Sequence, residues 1–590
     1  MKSTRAKRRL HRAAAGGTAL LLGAGMLSMA VAPSASAASS ELVLDNSDLA
    51  FILKQIQIAE AHATEEGGGL GQIVPATSVL GNGPNDVPAA NLPYGIRQVD
   101  GRNNNLGVGR ANAGAADQPF PRLTVPQWRP IYGTGVPAPN PNGSLQNGTG
   151  PSGPAGPPPS VLVDNSPRMI SNLIADMTPA AAEPGENSNP AAVAASIASG
   201  SNGQRVPLSG GFGFGSVEVL NIAPNAGVAP PTNAMFSFFG QFFDHGLDLV
   251  GKSGTEFIQF SATEPKDPLN GQGPMFMSRG LSNVQVSAGT NRTTPWIDQN
   301  QTYASTPSKQ VLIREYQVGV NGPVATGNLL GSTAHQATAI TGTQPAEPSV
   351  PAIAGNIGSW RDVKEQARNV LGIELRDTDI GSVPLFLTDE YGRYLRGPNN
   401  LPQLVTTTVV GGVNAVIEGN LASLVATSGT FPANYPIVAL QNQPYTAQST
   451  GHTFLDDIAH FAVPVNGQTG AELLADADTS PGNVPGAGEY DNELLDAHFI
   501  TGDGRGNENI GPTTIHTVFH AEHNRLVADI ASKVNALPAA DPTRLGFEAA
   551  GWGLGERLFQ AARMVNENEY QHLVFETFVR KIEPGIHAFA

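Results

Sequence analysis

The chain has 590 residues, of which 34 are lysine or arginine and 50 are aspartate or glutamate, so its formal net charge at pH 7 is −16. Binding to a phosphate backbone requires clustered basic side chains, and this acidic balance excludes nucleic acid as an expected partner. The chain contains no cysteine, which excludes disulfide bonds as a source of its stability.

The first 37 residues have the composition of a secretory signal peptide. Six basic side chains open the segment, an apolar stretch covers residues 19–32, and Ala35-Ser36-Ala37 form a small-residue cleavage signal. The apolar stretch is too short and too rich in glycine for a membrane anchor. We therefore expect a secreted protein with no anchor after signal removal, and Arg8-Arg9 leave the export route open. Its mature chain has 28 basic against 50 acidic residues, a formal charge of −22.

Residues 38–93 are predicted to form an N-terminal helical and irregular segment, and residues 94–590 one large domain. A single domain is expected because the polar motifs described below are spread from residue 241 to residue 508. A stretch rich in glycine and proline over residues 133–159 is predicted to be an extended insertion.

Apolar periodicity predicts helices in seven segments that are joined by long polar or glycine- and proline-rich connections. The segments with this pattern are 43–64, 166–178, 232–250, 361–371, 416–427, 513–537 and 556–582. The run Gln403–Val410 is rich in β-branched residues and predicts a strand. Together these patterns predict a mainly α-helical fold with long irregular connections and few short strands.

The predicted helix over residues 232–250 carries an apolar stripe and a polar one. The apolar stripe consists of Met235, Phe238, Phe242 and Leu249. The polar residues lie three or four positions apart and so share a face: Gln241, Asp244, His245 and Asp248. Polar groups among phenylalanines need partners. Besides a functional role, a satisfied buried pair of Asp244 and His245 that joins two helices remains open.

A second polar group lies in the glycine-rich stretch Gly502–Glu508, just before a predicted helix. It places an arginine and two acids on a loop. Taken alone, this loop is compatible with a surface turn or a weak calcium-binding loop.

At these residues the chain resembles the peroxidase–cyclooxygenase superfamily, the animal haem peroxidases, and more closely its secreted bacterial members. Family sequences carry a helical Gly-Gln-x-x-Asp-His segment, matched by Gly240–His245, and a Gly-Asp-x-Arg-x-x-Glu segment, matched by Gly502–Glu508. A following helix, His-Thr-x-x-x-x-Glu-His-Asn-Arg-Leu, is matched by His516–Leu526. With weaker matches at 100–106, 120–123 and 556–563, the resemblance covers residues 94–590 and implies a helical haem peroxidase domain.

The resemblance implies roles for five residues around haem b. His245 is expected to be the base that moves a proton between the two oxygens of hydrogen peroxide, with a small reducing substrate as the second partner. Arg505 is expected to stabilise the developing negative charge, and Gln241 to tune the pocket by hydrogen bonding. Asp244 and Glu508 are candidates for ester links to haem methyl groups.

The resemblance also implies a calcium loop, which is matched by Thr294, Trp296, Asp298 and Asn300. The first, third and fourth offer side-chain oxygens and Trp296 its carbonyl, and oxygen donors suit this hard cation. The family's aspartate after the distal histidine is Gly246 here, so one anionic ligand is missing.

The proximal iron ligand is the main departure from the family pattern. In the family this histidine lies on the order of a hundred positions after the catalytic arginine, whereas 85 residues separate Arg505 from Ala590. His572 and His587 are the last histidines, and neither stands in the family's Gly-His context. We therefore expect a peroxidase domain that is incomplete at its C-terminus because the reading frame is truncated, split or frameshifted, and a separately encoded C-terminal fragment could complement it as a partner.

Three alternative functions remain open at this point. His516, His520 and His523 with Glu522 could form a metal-binding helix face. A degenerate or matrix-type relative could keep the fold without catalysis. A fatty-acid oxygenase of the same superfamily would require a tyrosine close to the haem.

Overall fold

The computed structural model describes the chain in segments. They are 43–65, 96–102, 112–120, 128–130, 160–162, 204–207, 216–219, 233–260, 275–280, 282–283, 288–332, 357–397, 400–410, 413–418, 447–456, 462–466, 470–482 and 484–582. The predicted signal peptide, the insertion over 133–159 and the predicted helix over 166–178 lie outside the described residues. The described residues from Asn46 onward form one compact unit.

The main helices of the described segments are numbered in chain order. They are α1 (Asn46–Glu65), α2 (Ala234–His245), α3 (Asn300–Tyr303), α4 (Pro307–Ile313), α5 (Trp360–Gln366), α6 (Asn492–Ala497), α7 (Ile510–Ala536), α8 (Pro542–Glu548), α9 (Leu554–His572) and α10 (Arg580–Ile582). A π-helical turn, Ala367–Leu371, extends α5, a second, Leu573–Val579, joins α9 to α10, and a 3-10 turn covers Asp377–Gly381. No helix in the described part of the chain combines the length and apolar character that crossing a membrane requires.

The strands are short and pair mostly in twos. They are β1 (Gln118–Pro119), β2 (Trp128–Pro130), β3 (Ser160–Leu162), β4 (Gln204–Pro207), β5 (Ser216–Val219), β6 (Lys252–Phe260), β7 (Met275–Gly280), β8 (Ser282–Asn283), β9 (Ala288–Asn291), β10 (Arg314–Gly319), β11 (Gly322–Leu329), β12 (Gln403–Val410), β13 (Val413–Glu418), β14 (Leu474–Ala475) and β15 (Glu489–Tyr490). The antiparallel pairs are β2–β3, β4–β5, β6–β7, β10–β11 and β12–β13, while β9 pairs with both β1 and β8. β14 and β15 are parallel.

The mainly helical fold predicted from the sequence is confirmed. Helices near 43–64, 361–371, 513–537 and 556–582 begin and end within a few residues of their predicted bounds. The prediction of a helix from residue 416 is wrong over its described part, because Val413–Glu418 is a strand that pairs with the predicted strand Gln403–Val410. The two glycines between these valine-rich runs are typical of a hairpin. The helix prediction rested on the spacing of apolar residues and did not take this turn into account.

α2 ends five residues earlier than predicted, at His245. A Cβ atom at Gly246 would overlap the side-chain amide of Gln301, so the glycine leaves room for this buried side chain of α3. Beyond this point the chain is tied to β9, since Asn291 accepts from the Leu249 amide (2.9 Å) and donates to the Leu247 carbonyl (2.9 Å).

α9 is the central helix, and it packs against α7, β11 and α1. Its Arg557 is 3% exposed and forms an ion pair with Glu60 of α1 through Nη2 (2.9 Å) and Nε (3.2 Å). The other Glu60 oxygen also accepts from the Trp552 amide (2.8 Å). Because a buried charge is costly without its partner, this pair fixes α1 to the first turn of α9.

An aromatic cluster holds α2 between α7 and α9. Phe242 is fully buried, stacks on Phe519 of α7 with ring centroids 5.2 Å apart, and meets Tyr570 of α9 edge-on at 5.8 Å. Phe239 meets Phe578 edge-on at 5.3 Å. Aromatic pairs of this kind add to the free energy of simple area burial, so the cluster sets the position of α2 and of His245 at its end.

We expect Phe242→Ala to lower the free energy of unfolding by about 3–5 kcal/mol, since it leaves a cavity among rigid rings. Urea unfolding followed by circular dichroism measures the change. Val518→Ala is the matched control, because Val518 is 53% exposed on α7 and should cost less than about 0.5 kcal/mol. A loss below about 1 kcal/mol in Phe242→Ala would show that the cluster does not hold α2.

Candidate functional site

α3 joins the two polar segments that the sequence separates by more than 200 residues. The side-chain amide of Gln301 donates to the Phe242 carbonyl (2.6 Å) near the end of α2. The backbone carbonyl of Gln301 accepts from the Asp503 amide (3.0 Å). A Cβ atom at Gly502 would overlap the backbone of α3, so the glycine permits this approach. The end of α2 and the loop before α7 are thus brought to one place.

Asp503 is the centre of the polar cluster. Its carboxylate accepts from His245 Nδ1 (2.7 Å) through one oxygen and from Arg505 Nε (3.0 Å) through the other. Burial alone would raise the pKa of the Asp503 carboxyl, but the hydrogen bond from His245 and the charge of Arg505 outweigh it and hold that pKa well below its usual range. Asp503 is therefore ionised at neutral pH.

The ionised Asp503 determines which nitrogen of His245 carries the proton. A carboxylate only accepts hydrogen bonds, so Nδ1 carries a proton, and whenever the ring is neutral the lone pair is on Nε2. This Nε2 lies 3.4 Å from Glu508 Oε2. The arrangement gives His245 the orientation and tautomer of a general base.

Arg505 is fixed against the end of α2. Its Nη2 donates to the His245 carbonyl (2.8 Å) and to the Asp248 carbonyl (3.1 Å). With Nε on Asp503, the guanidinium is held on two sides, and 19% of its side chain remains exposed. It is a preorganised positive charge next to the histidine.

Gln241 and Glu508 complete the cluster. Gln241 Nε2 donates to Glu508 Oε2 (2.8 Å), and Gln241 Oε1 accepts from Asn509 (3.3 Å). The structure thus brings together His245, Arg505, Gln241 and Glu508, all of which were singled out in the sequence. Asp244, the remaining candidate, is exposed on α2 and is not part of the cavity wall.

A cavity of about 730 Å³ opens beside this cluster, a size typical of cofactor and ligand sites. Its wall includes His245, Asp503, Arg505 and Glu508 and, from other segments, Arg292, Lys309, His452 and Asp456. Lys309 is 3% exposed and donates to the Phe454 carbonyl (3.0 Å). Burial lowers its pKa to about 8, with the charges of Asp503 and Asp456 acting in the opposite direction.

Comparison with known proteins supports the resemblance read from the sequence. Residues 465–583 match the family model described as animal haem peroxidase. The matched segment contains Asp503, Arg505, Glu508, α7 and α9, whereas His245 lies outside it. None of the curated proteins compared with this chain matches it. At family level the match confirms the predicted resemblance and supports a haem-binding, peroxidase-like oxidoreductase.

The donor set fits one side of a haem that reacts with peroxide. A histidine whose Nδ1 is bonded to Asp503, a fixed arginine and the carboxylate of Glu508 face the same cavity. Of the described histidines, His245 and His452 line this cavity, and His452 Nε2 is bonded to Asp117 (2.9 Å). His572, a candidate axial ligand, has a side chain that is 66% exposed and paired with Glu576 (3.1 Å). Among the described residues, the donor set thus fits one side of a haem, and neither His452 nor His572 is placed as its axial ligand.

Three of the residues predicted to bind calcium lie together and are buried: Thr294, Asp298 and Asn300. The fourth, Trp296, has its indole ring against Gly114. The oxygens of the first group are occupied by donors from the chain itself, so the group does not fit a calcium ion as it stands.

The histidines of α7 do not form a metal site. His520 Nε2 lies 3.0 Å from the Leu330 carbonyl, and His523 lies 3.0 Å from the Gly327 carbonyl and 2.9 Å from the Tyr303 hydroxyl. His516 lies edge-on to Phe242 at 4.8 Å. Within the described residues, these three do not belong to any group of acids and histidines close enough to share an ion.

The α7 histidines instead make stability depend on pH. Burial lowers the pKa of His516 and His520 from 6.5 to about 4 and that of His523 to about 3, although Asp503 and the Leu330 and Gly327 carbonyls act in the opposite direction. Between pH 6.5 and 4 the unfolded chain therefore binds more protons than the folded one. Stability that is present above pH 6.5 is lost as the pH falls.

We expect His520→Gln to weaken this pH dependence, because glutamine can still donate to the Leu330 carbonyl but does not titrate. In the wild-type protein, the lowered pKa of His520 makes the free energy of unfolding about 2 kcal/mol smaller at pH 4.5 than at pH 7.5. Thermal unfolding from pH 7.5 to 4.5 should show a smaller fall in Tm for the variant. Parallel curves for the two proteins would contradict a neutral, buried His520.

Proposed function

We propose that this chain is a secreted haem peroxidase-type protein that oxidises small donors with hydrogen peroxide. The observation that carries the proposal is the ionised Asp503, which orients both His245 and Arg505 at one cavity. A base and a fixed cation at one wall are what heterolytic cleavage of a peroxide requires.

His245 moves the proton in this reaction. Its Nε2 accepts a proton from one peroxide oxygen and returns it to the other, which leaves as water, while Nδ1–H stays bonded to Asp503. Haem, when bound, supplies the iron that binds the peroxide and the two electrons that cleave the O–O bond, which the small donors then replace. Because Asp503 stabilises the protonated ring, the intermediate imidazolium costs less free energy than an isolated one.

Arg505 and the Gln241–Glu508 pair support this proton transfer. The guanidinium keeps its charge at every working pH and stabilises the negative charge that develops on the peroxide. Gln241 holds one oxygen of Glu508, and this carboxylate lines the cavity with 30% of its side chain exposed. Glu508 is therefore the better-placed candidate for an ester link to haem, and Asp244 remains the second.

The axial ligand of the haem iron would come from outside the described residues. We propose that a segment beyond them or a separately encoded C-terminal fragment supplies it. Haem titration of the chain alone, and of the chain mixed with such a fragment, separates these two sources by the appearance of the Soret band.

Secretion is proposed from the sequence of residues 1–37. The basic start, the apolar stretch and Ala35-Ser36-Ala37 support cleavage after Ala37. N-terminal sequencing of the protein recovered from the medium should begin at Ala38, and recovery of an intact Met1 in the cell fraction would contradict it.

We expect His245→Gln in the haem-loaded protein to slow the reaction with hydrogen peroxide by about 10²–10⁴-fold, because the general base is lost. Stopped-flow absorbance in the Soret region measures the rate, and an unchanged haem titration shows that the cofactor is still bound. His520→Gln is the control, since His520 is buried on α7 outside this cavity. An undiminished rate in His245→Gln would remove His245 from its role.

Asp503→Asn tests the orientation of the base separately. The amide can donate to Nδ1 and so favours the tautomer in which Nε2 carries the proton and cannot accept another. We expect the peroxide reaction to slow by at least about 100-fold. A wild-type rate in this variant would show that Asp503 only supports the fold.

A further inference from the structure

The side-chain amide of Asn300 lies inside a group of oxygen atoms at the start of α3. Its Nδ2 is 2.8 Å from the Gly246 carbonyl, 2.8 Å from the Thr294 carbonyl and 2.9 Å from Asp298 Oδ1. A fourth oxygen, Thr294 Oγ1, lies at 3.4 Å. The amide oxygen accepts instead from the Thr293 hydroxyl (2.7 Å). An amide nitrogen therefore occupies the point on which these oxygens converge.

Arg97 supplies the positive charge next to this group. Its Nη1 lies 3.1 Å from Asp298 Oδ2, and its Nη2 donates to the Asp298 carbonyl (3.1 Å) and to Glu567 (2.8 Å). The side chains of Arg97 and Asp298 are 8% and 2% exposed. Burial would lower the pKa of Arg97, but Asp298 and Glu567 outweigh it and raise that pKa. The guanidinium thus stays charged and neutralises the carboxylate.

We propose that Asn300 and Arg97 together replace a bound calcium ion, so that this loop closes without metal. The Asn300 amide fills the position of the cation and donates to the oxygens, and Arg97 balances the charge of Asp298. The sequence predicted calcium here on the basis of resemblance, and the donors present in the fold favour the opposite conclusion.

Two features of the site oppose calcium. Calcium takes six to eight oxygen ligands, whereas four oxygens surround the Asn300 amide and only that of Asp298 is anionic; the others are the Gly246 and Thr294 carbonyls and the Thr294 hydroxyl. An incoming ion would also need the Asn300 amide to turn over and would lie beside the guanidinium of Arg97. Both changes leave buried groups without their present partners, which costs free energy.

The first test compares the purified chain with 1 mM CaCl₂ and with 1 mM EDTA. Because a ligand that binds only the folded state raises its stability, bound calcium would raise Tm in the first buffer. We expect equal Tm values and no saturable heat in a calorimetric titration with CaCl₂. Saturable binding at micromolar concentration together with a higher Tm would overturn the proposal.

The second test uses Asn300→Asp, which keeps the size of the side chain and replaces the donating amide with a second carboxylate. The proposal predicts a variant with a lower Tm in EDTA that CaCl₂ raises by several degrees. Asn291→Asp is the matched control, because Asn291 is also buried and donates its amide to a backbone carbonyl, that of Leu247 (2.9 Å). The control should lose stability without gaining a response to calcium.

The two variants separate the outcomes. A response to calcium in Asn300→Asp alone supports an amide that stands in the place of a cation. An equal response in both variants, or no response in a folded Asn300→Asp, would show that the oxygens around residue 300 do not form a cation site and would overturn the proposal. The wild-type measurement decides the matter independently if Asn300→Asp does not fold.

Discussion

The buried charge of Asp503 is the constraint on which the candidate site depends. An ionised carboxylate that is 2% exposed is tolerated only because His245 and Arg505 both donate to it. The same two bonds give the histidine its tautomer and the arginine its direction. Asp503 thus links the stability of the fold to the orientation of His245 and Arg505. Any change that weakens its two hydrogen bonds lowers the stability and disturbs the candidate site.

The aromatic cluster and α3 hold this charge in place from opposite sides. Stacking of Phe242 on Phe519 fixes the helix that carries His245, and the bonds of Gln301 fix the distance between the end of that helix and the Asp503 loop. Gly246 leaves room for the Gln301 side chain, and Gly502 lets the loop approach the backbone of α3. Rigid packing on both sides is what a preorganised site requires, because small displacements of reacting groups reduce the rate strongly.

The sequence predicted the helices with long apolar periods and four residues of the site, because helix periodicity and motif spacing are local properties. It did not predict the role of Asp503, although the residue stands inside a recognised motif, since its partner His245 lies 258 positions away. Gln301 and Arg97 were missed for the same reason. Their partners come from distant segments, and no local pattern marks a glutamine or an arginine that will be buried. The strand Val413–Glu418 was missed because apolar residues fit both periods.

The ion pair between Glu60 and Arg557 has a consequence for the order of folding. It joins residues 497 positions apart, so α1 emerges from the ribosome long before its partner helix exists. During synthesis the apolar face of α1 stays exposed until α9 has been made. Contacts between such distant segments also form slowly, because the loop-closure entropy has to be overcome first. A chaperone that covers α1 on the nascent chain would therefore be more valuable to this protein than to one whose neighbouring helices are consecutive in the sequence.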